Sequence, residues 1–111
     1  MRLLLDPHIY LWYLSDSRRL SPAIRRRIAT AEEVFVSAAT IWEAGVKLEL
    51  GKLTLDADVD DLILGIDASG FAELPVTARQ VARAARLPRI HADPFDRLLI
   101  AQAFEAPRCT S

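Results

Sequence analysis

Asp93-Pro94-Phe95-Asp96-Arg97-Leu98-Leu99-Ile100-Ala101-Gln102-Ala103 is the stretch on which the reading of this chain turns: two carboxylates three residues apart open a strongly apolar segment. Proline suits the first helical position, whose N–H has no intrahelical partner, and an aspartate before it caps the orphaned amides of the first turn. A second acid in that turn complements the positive end of the helix macrodipole. These effects account for Asp93 well and for Asp96 less well, because an arginine follows Asp96 directly and the rest of the segment is apolar on nearly every side. The pattern predicts a buried helix whose charged end faces a cleft, and a carboxylate aimed into a cleft is a candidate metal ligand.

By itself such a helix start favours the capping role, so the weight falls on other acids at matching places. Asp6 ends the run Arg2-Leu3-Leu4-Leu5, an apolar segment suited to a short buried strand, and Pro7 then starts a helix. In open parallel sheets the carboxyl ends of the strands line the ligand crevice, so an acid there points at the functional edge. Glu43 lies within Ser37-Ala38-Ala39-Thr40-Ile41-Trp42-Glu43-Ala44, a charge among apolar residues on the helix after the second strand.

Three blocks taken together, Leu3-Leu4-Leu5-Asp6-x-His8, Ser37-Ala38-Ala39-x-x-Trp42-Glu43 and Asp93 to Ala103, resemble the PIN-domain ribonucleases, and more closely the VapC-type toxins of bacterial toxin-antitoxin pairs. The resemblance runs in order from Met1 to about Phe104. It implies a PIN-like three-layer α/β/α fold with a short parallel sheet, and an endoribonuclease that depends on Mg2+ or Mn2+. It also implies an RNA substrate, a cognate antitoxin protein and a homodimer. Asp6, Glu43 and Asp96 carry over as catalytic, metal-holding acids. Asp93 matches the pattern too and is read as cap first and ligand second. Arg97 is a candidate for steadying an RNA phosphate, with a simple ion pair to a nearby acid as the preferred role. His8 and His91 receive no catalytic assignment, since a lone histidine near a helix start is more often a surface residue.

The chain departs from the family pattern at two places. Pro7 stands where the resemblance implies threonine or serine, which removes a hydroxyl and a backbone N–H beside the site. After Phe104 the resemblance implies a last strand and a further acid, whereas this chain reads Glu105-Ala106-Pro107-Arg108-Cys109-Thr110-Ser111. The expectation is a sheet with its last strand missing, one edge open and the acidic site one ligand short. A non-catalytic PIN module that still binds an antitoxin or its own twin is therefore the alternative to the enzyme.

Composition sets the outer bounds. With 111 residues, 51% hydrophobic and 26% charged, the sequence is expected to form one globular domain from 1 to 111 rather than a disordered chain. The apolar run Ile9 to Leu14 is far short of the ~20 residues a membrane helix needs, and Asp6 interrupts what would otherwise resemble a secretory leader. A single cysteine, Cys109, excludes an internal disulfide and suits a reducing, cytoplasmic setting. The net charge of -1 argues against a wholly basic surface. Even so, Arg18, Arg19, Arg25, Arg26 and Arg27 cluster in one segment, and Arg79, Arg83 and Arg86 fall on one helical face. Solvated faces are the common meaning of such patterns; contact with phosphate is the functional one.

Along the chain, strands are expected at Arg2 to Leu5, Val34 to Val36 and Phe71 to Val76, the last broken by Pro75. Helices are expected at Pro7 to Leu14, from Pro22 to about Ala31 behind a Ser21 cap, and from Ser37 to about Leu50. Two more should run from Val59 to Ser69 and from a Thr77 cap to before Pro88. Gly51 and Gly70 should end their helices, Lys52 to Leu55 should be extended, and Leu62, Ile63 and Ile66 should form the inner face of the acidic helix. On the helix after the second strand, Ile41, Ala44 and Leu48 form the expected stripe with Glu43 beside it, within reach of Lys47 four residues on. Alternating strands and helices point to a parallel sheet with helices on both sides.

Overall fold

The structure is a computed structural model that describes residues 1–88 and 93–105. Its elements are β1 (Arg2–Leu4), α1 (Pro7–Leu14), α2 (Pro22–Thr30), β2 (Glu33–Ser37), α3 (Ala38–Glu49), α4 (Val59–Ala68), β3 (Ala72–Leu74), α5 (Ala78–Ala85) and α6 (Pro94–Glu105). The strands form a parallel sheet in the order β1-β2-β3, with Leu4 opposite Phe35 and Phe35 opposite Ala72. This is the expected α/β class. All three carboxyl ends therefore share one edge, where Asp6, Ser37 and Pro75 follow or close their strands. β1 is an edge strand among the described residues. His91, Cys109 and the stretch on which the missing-strand expectation falls lie outside the described residues.

Local chemistry explains most boundaries. Asp6, Ser21, Ser37, Asp58 and Thr77 each cap a helix by accepting a backbone N–H, and Asp58–Asp61 and Thr77–Gln80 form reciprocal capping boxes. Gly51 (φ +70) and Gly70 (φ +76) take the left-handed conformation that ends α3 and α4. At the second of these ends Gly70 N–H donates to Asp67 O at 3.0 Å and Phe71 N–H to Ile66 O at 2.9 Å, while Ile66 and Phe71 also share the core. β3 stops at Leu74 because Pro75 has no N–H for the ladder.

Strand alternation divides the core between two faces. Leu3, Leu5, Val34 and Val36 pack with Tyr10 of α1, Ile28 of α2, Ile66 of α4 and Phe71. Ser37 belongs to the other face, and its hydroxyl donates to Gln102 Oε1 of α6. On that side Ala39, Ala84, Leu98 and Ala101 join α3, α5 and α6. The sheet thus lies between two helical layers, as the three-layer expectation requires.

Four expectations need correction. Ile63 is 45% exposed; only Leu62 and Ile66 of α4 are buried, since one narrow stripe of this short helix meets the core. Lys52 to Leu55 joins no strand, and its first two residues fold back on α3, where Lys52 N–H and Leu53 N–H donate to Lys47 O at 2.8 and 3.3 Å. On α3 the buried face is Ala39, Thr40, Glu43 and Ala44, so Glu43 lies within the packed face rather than beside it. α6 buries Leu98, Ala101 and Gln102 while Phe104 is 59% exposed, because only the side toward α3 and α5 is covered.

Candidate metal centre

Two helices bring the acids together. α3 starts directly at the end of β2, with Ser37 Oγ accepting Ala39 N–H at 3.0 Å, so Glu43 rides about one and a half turns beyond the sheet edge. α6 starts at Pro94, where Asp93 Oδ1 accepts Phe95 N–H at 2.9 Å. Asp93 is thus a cap in the same way as Asp6, which accepts His8 N–H at 2.8 Å.

One carboxylate oxygen from each of Glu43, Asp93 and Asp96 lies within 4.8 Å of the other two. Glu43 is buried, whereas Asp93 and Asp96 are exposed, so the set opens to solvent on the α6 side. Lys47 Nζ stands 3.2 Å from Glu43 Oε2, which supplies the buried carboxylate with a cation of its own. The expected pairing of Glu43 with Lys47 is present, while the acid that joins Glu43 and Asp96 is Asp93 rather than Asp6.

The set is suited to a hard dication. Two oxygens bound to one Mg2+ at ~2.1 Å can stand no more than ~4.2 Å apart, so side-chain shifts of under about an ångström would close it. An all-carboxylate donor set also matches the ligand preference of magnesium and manganese. Asp6 does not belong to this group. It sits at the shared sheet edge, half-buried, with His8 Nδ1 at 3.4 Å.

Arg97 does something the sequence did not suggest. Its guanidinium donates to the carbonyls of Ala84, Ala85, Leu87 and Pro88 at 2.8 to 3.2 Å, closing the last turn of α5 and the segment after it. Positive charge suits a helix C-terminus, and the contact ties the first turn of α6, which carries Asp93 and Asp96, to α5.

Gln102 is the buried residue that sequence reasoning passed over. Besides Ser37, its amide contacts Gln80 Oε1 at 3.1 Å and Pro75 O at 3.3 Å, linking the ends of β2 and β3 to α5 and α6. The spacing of Leu98, Ala101 and Gln102 at i, i+3 and i+4 was the available signal. Thr40 Oγ1, one turn before Glu43, is buried without a hydrogen-bond partner among the described residues.

A family model described as PIN domain matches residues 3–106, and the chain belongs to the PIN-domain family. It is a VapC-type member: Ribonuclease VapC22 of Mycobacterium tuberculosis (strain ATCC 25618 / H37Rv) is 31% identical over 103 residues, covering 92% of this chain and 78% of that relative. No solved structure matched. No helix among the described residues is long and apolar enough to cross a membrane.

Proposed function

We propose that this chain is an endoribonuclease, the toxin of a toxin-antitoxin pair, hydrolysing RNA phosphodiester bonds with Mg2+ or Mn2+. The observation that carries the reading is the meeting of Glu43, Asp93 and Asp96 within 4.8 Å, on a chain of the PIN-domain family. Those three acids would hold the ion, with Asp6 contributing from the carboxyl end of β1. An ion held there supplies a Lewis acid for the charge that develops on a phosphate and makes attack by water feasible at neutral pH.

The chain's own groups have distinct parts. Lys47 Nζ restrains Glu43 Oε2, which leaves Oε1 as the oxygen with which Glu43 would hold the ion. Asp93 spends one oxygen on the Phe95 amide, which fixes its orientation. Arg97 and Gln102 hold α6 against α5 and the strand ends, so the two α6 acids keep their place relative to Glu43. The antitoxin partner, the homodimer and a cytoplasmic site of action belong to the same proposal.

The test is cleavage of a single-stranded RNA by the purified chain with Mg2+, Mn2+ or chelator. Cleavage should require the dication and fall at least about a hundredfold in Glu43→Gln and Asp96→Asn, as loss of a charged group at a reacting centre does. Failure of the wild-type chain to cleave with either ion overturns the enzyme reading in favour of the non-catalytic module.

A further inference from the structure

Trp42 immediately precedes Glu43 on α3 and is 63% exposed. Consecutive helical residues point about 100° apart, so while Glu43 faces the packed side, the indole stands on the rim of the acid set. Phe95 lies between Asp93 and Asp96 in the first turn of α6. The two rings meet with centroids 4.9 Å apart and planes inclined by 71°. This aromatic pair therefore spans the two helices that supply the three acids. Whichever ring offers its edge in such a contact, at least one face of the indole stays open.

We propose that the Trp42–Phe95 pair is a stacking platform for one unpaired nucleobase of an RNA strand whose phosphate lies at Glu43, Asp93 and Asp96. The inference rests on the ribonuclease reading of that site and adds to it a place where one base beside the reacting phosphate is held. A base stacks on an aromatic face whatever its identity, provided it is not paired within a duplex. A second copy of this chain is the poorer occupant. In a two-fold contact each patch meets its own equivalent, which would press the acid sets toward one another. Two rings are also a small part of the ~800 Å2 per partner that a stable interface buries.

The experiment uses the full chain with Trp12→Phe, which leaves Trp42 as the only tryptophan. With Ca2+ as the dication, a short single-stranded oligoribonucleotide should quench Trp42 fluorescence. The matching duplex and an abasic strand of equal length should not. Trp42→Ala should weaken binding of the oligoribonucleotide about tenfold, in the range found for one stacked base. Trp42→Phe should restore most of it, and the Mn2+-induced rise in melting temperature should be the same in all three. Equal binding by the abasic strand, or by Trp42→Ala, overturns the platform. So does a change of oligomeric state in Trp42→Ala with RNA binding intact, which assigns the rings to a contact between copies. Cleavage by the wild-type chain with unaltered binding in Trp42→Ala sinks the platform alone. Base-dependent quenching without cleavage under any dication sinks the reaction and leaves the platform standing.

Discussion

Lys47 Nζ lies 3.2 Å from Glu43 Oε2, one turn along α3, and Glu43 is the buried member of the acid set. A lysine in that position neutralises the carboxylate when no other cation is near and competes with any dication that arrives. Lys47→Met keeps the aliphatic stem and removes the charge. The metal-free variant should be less stable than wild type by about 1 kcal/mol or more, because a buried carboxylate loses its partner. Its Mn2+ affinity should rise severalfold. Thermal melts across a Mn2+ titration read both; unchanged affinity would show that Lys47 and the ion do not share Glu43.

Asp6 tests how far the site extends. Asn caps a helix as well as Asp does, so Asp6→Asn should leave α1 and the melting temperature within about 0.5 kcal/mol of wild type. If Asp6 acts with the other acids, RNA cleavage should fall by tenfold or more while stability holds. Activity equal to wild type would confine Asp6 to capping.

Gly65 is where α4 lies against Tyr10 and Leu14 of α1. A Cβ there would stand 2.9 Å from Tyr10 Oη and 3.0 Å from Leu14 Cδ2. The Tyr10 hydroxyl cannot easily yield, since it donates to Leu62 O at 2.7 Å. Alanine is normally the better helix former by ~1 kcal/mol, yet Gly65→Ala should destabilise by about 1 to 3 kcal/mol through overpacking. Urea unfolding would show a lowered midpoint at constant slope, and combining it with Tyr10→Phe should recover part of the loss.

Burial pushes the Tyr10 phenol from its ordinary 10 up to about 12. Between those values the unfolded chain has released the proton and the folded chain retains it. The stabilisation is therefore complete below pH 10 and is lost as pH climbs toward 12. The difference in stability between wild type and Tyr10→Phe should shrink across that window by up to ~1.4 kcal/mol per pH unit. A constant difference would place the phenol in water.

Thr40 Oγ1 is buried without a partner among the described residues, on the same face of α3 as Glu43. Thr40→Val removes the desolvated hydroxyl at nearly constant volume, so chemical denaturation should show a protein as stable as wild type or up to about 1 kcal/mol more so. A clear loss of stability would reveal an acceptor for that hydroxyl.

Helix starts and ends were legible in the sequence because their energetics are local. Asp6-Pro7, Ser21-Pro22, Thr77 and the glycines at 51 and 70 act on amides and carbonyls within a few residues, and the structure puts the boundaries there. The parallel α/β order followed from short apolar runs alternating with capped helices, and Asp96 and Glu43 stood out as charges in apolar settings. Asp93 was read chiefly as a cap because that role is complete within its own turn, and one carboxylate oxygen can cap while the other faces the neighbouring acids.

What the tertiary structure alone decided is which distant groups meet. Arg97 reaches the carbonyls at the end of α5 because α5 and α6 pack side by side. Gln102 became the joint between two strand ends and two helices, and Trp42 found Phe95 across the gap between α3 and α6. No periodicity encodes such meetings. Propensity and capping act over a turn of chain, whereas the position of a side chain beside a residue 53 or 65 places away in sequence is set by how whole faces bury against one another.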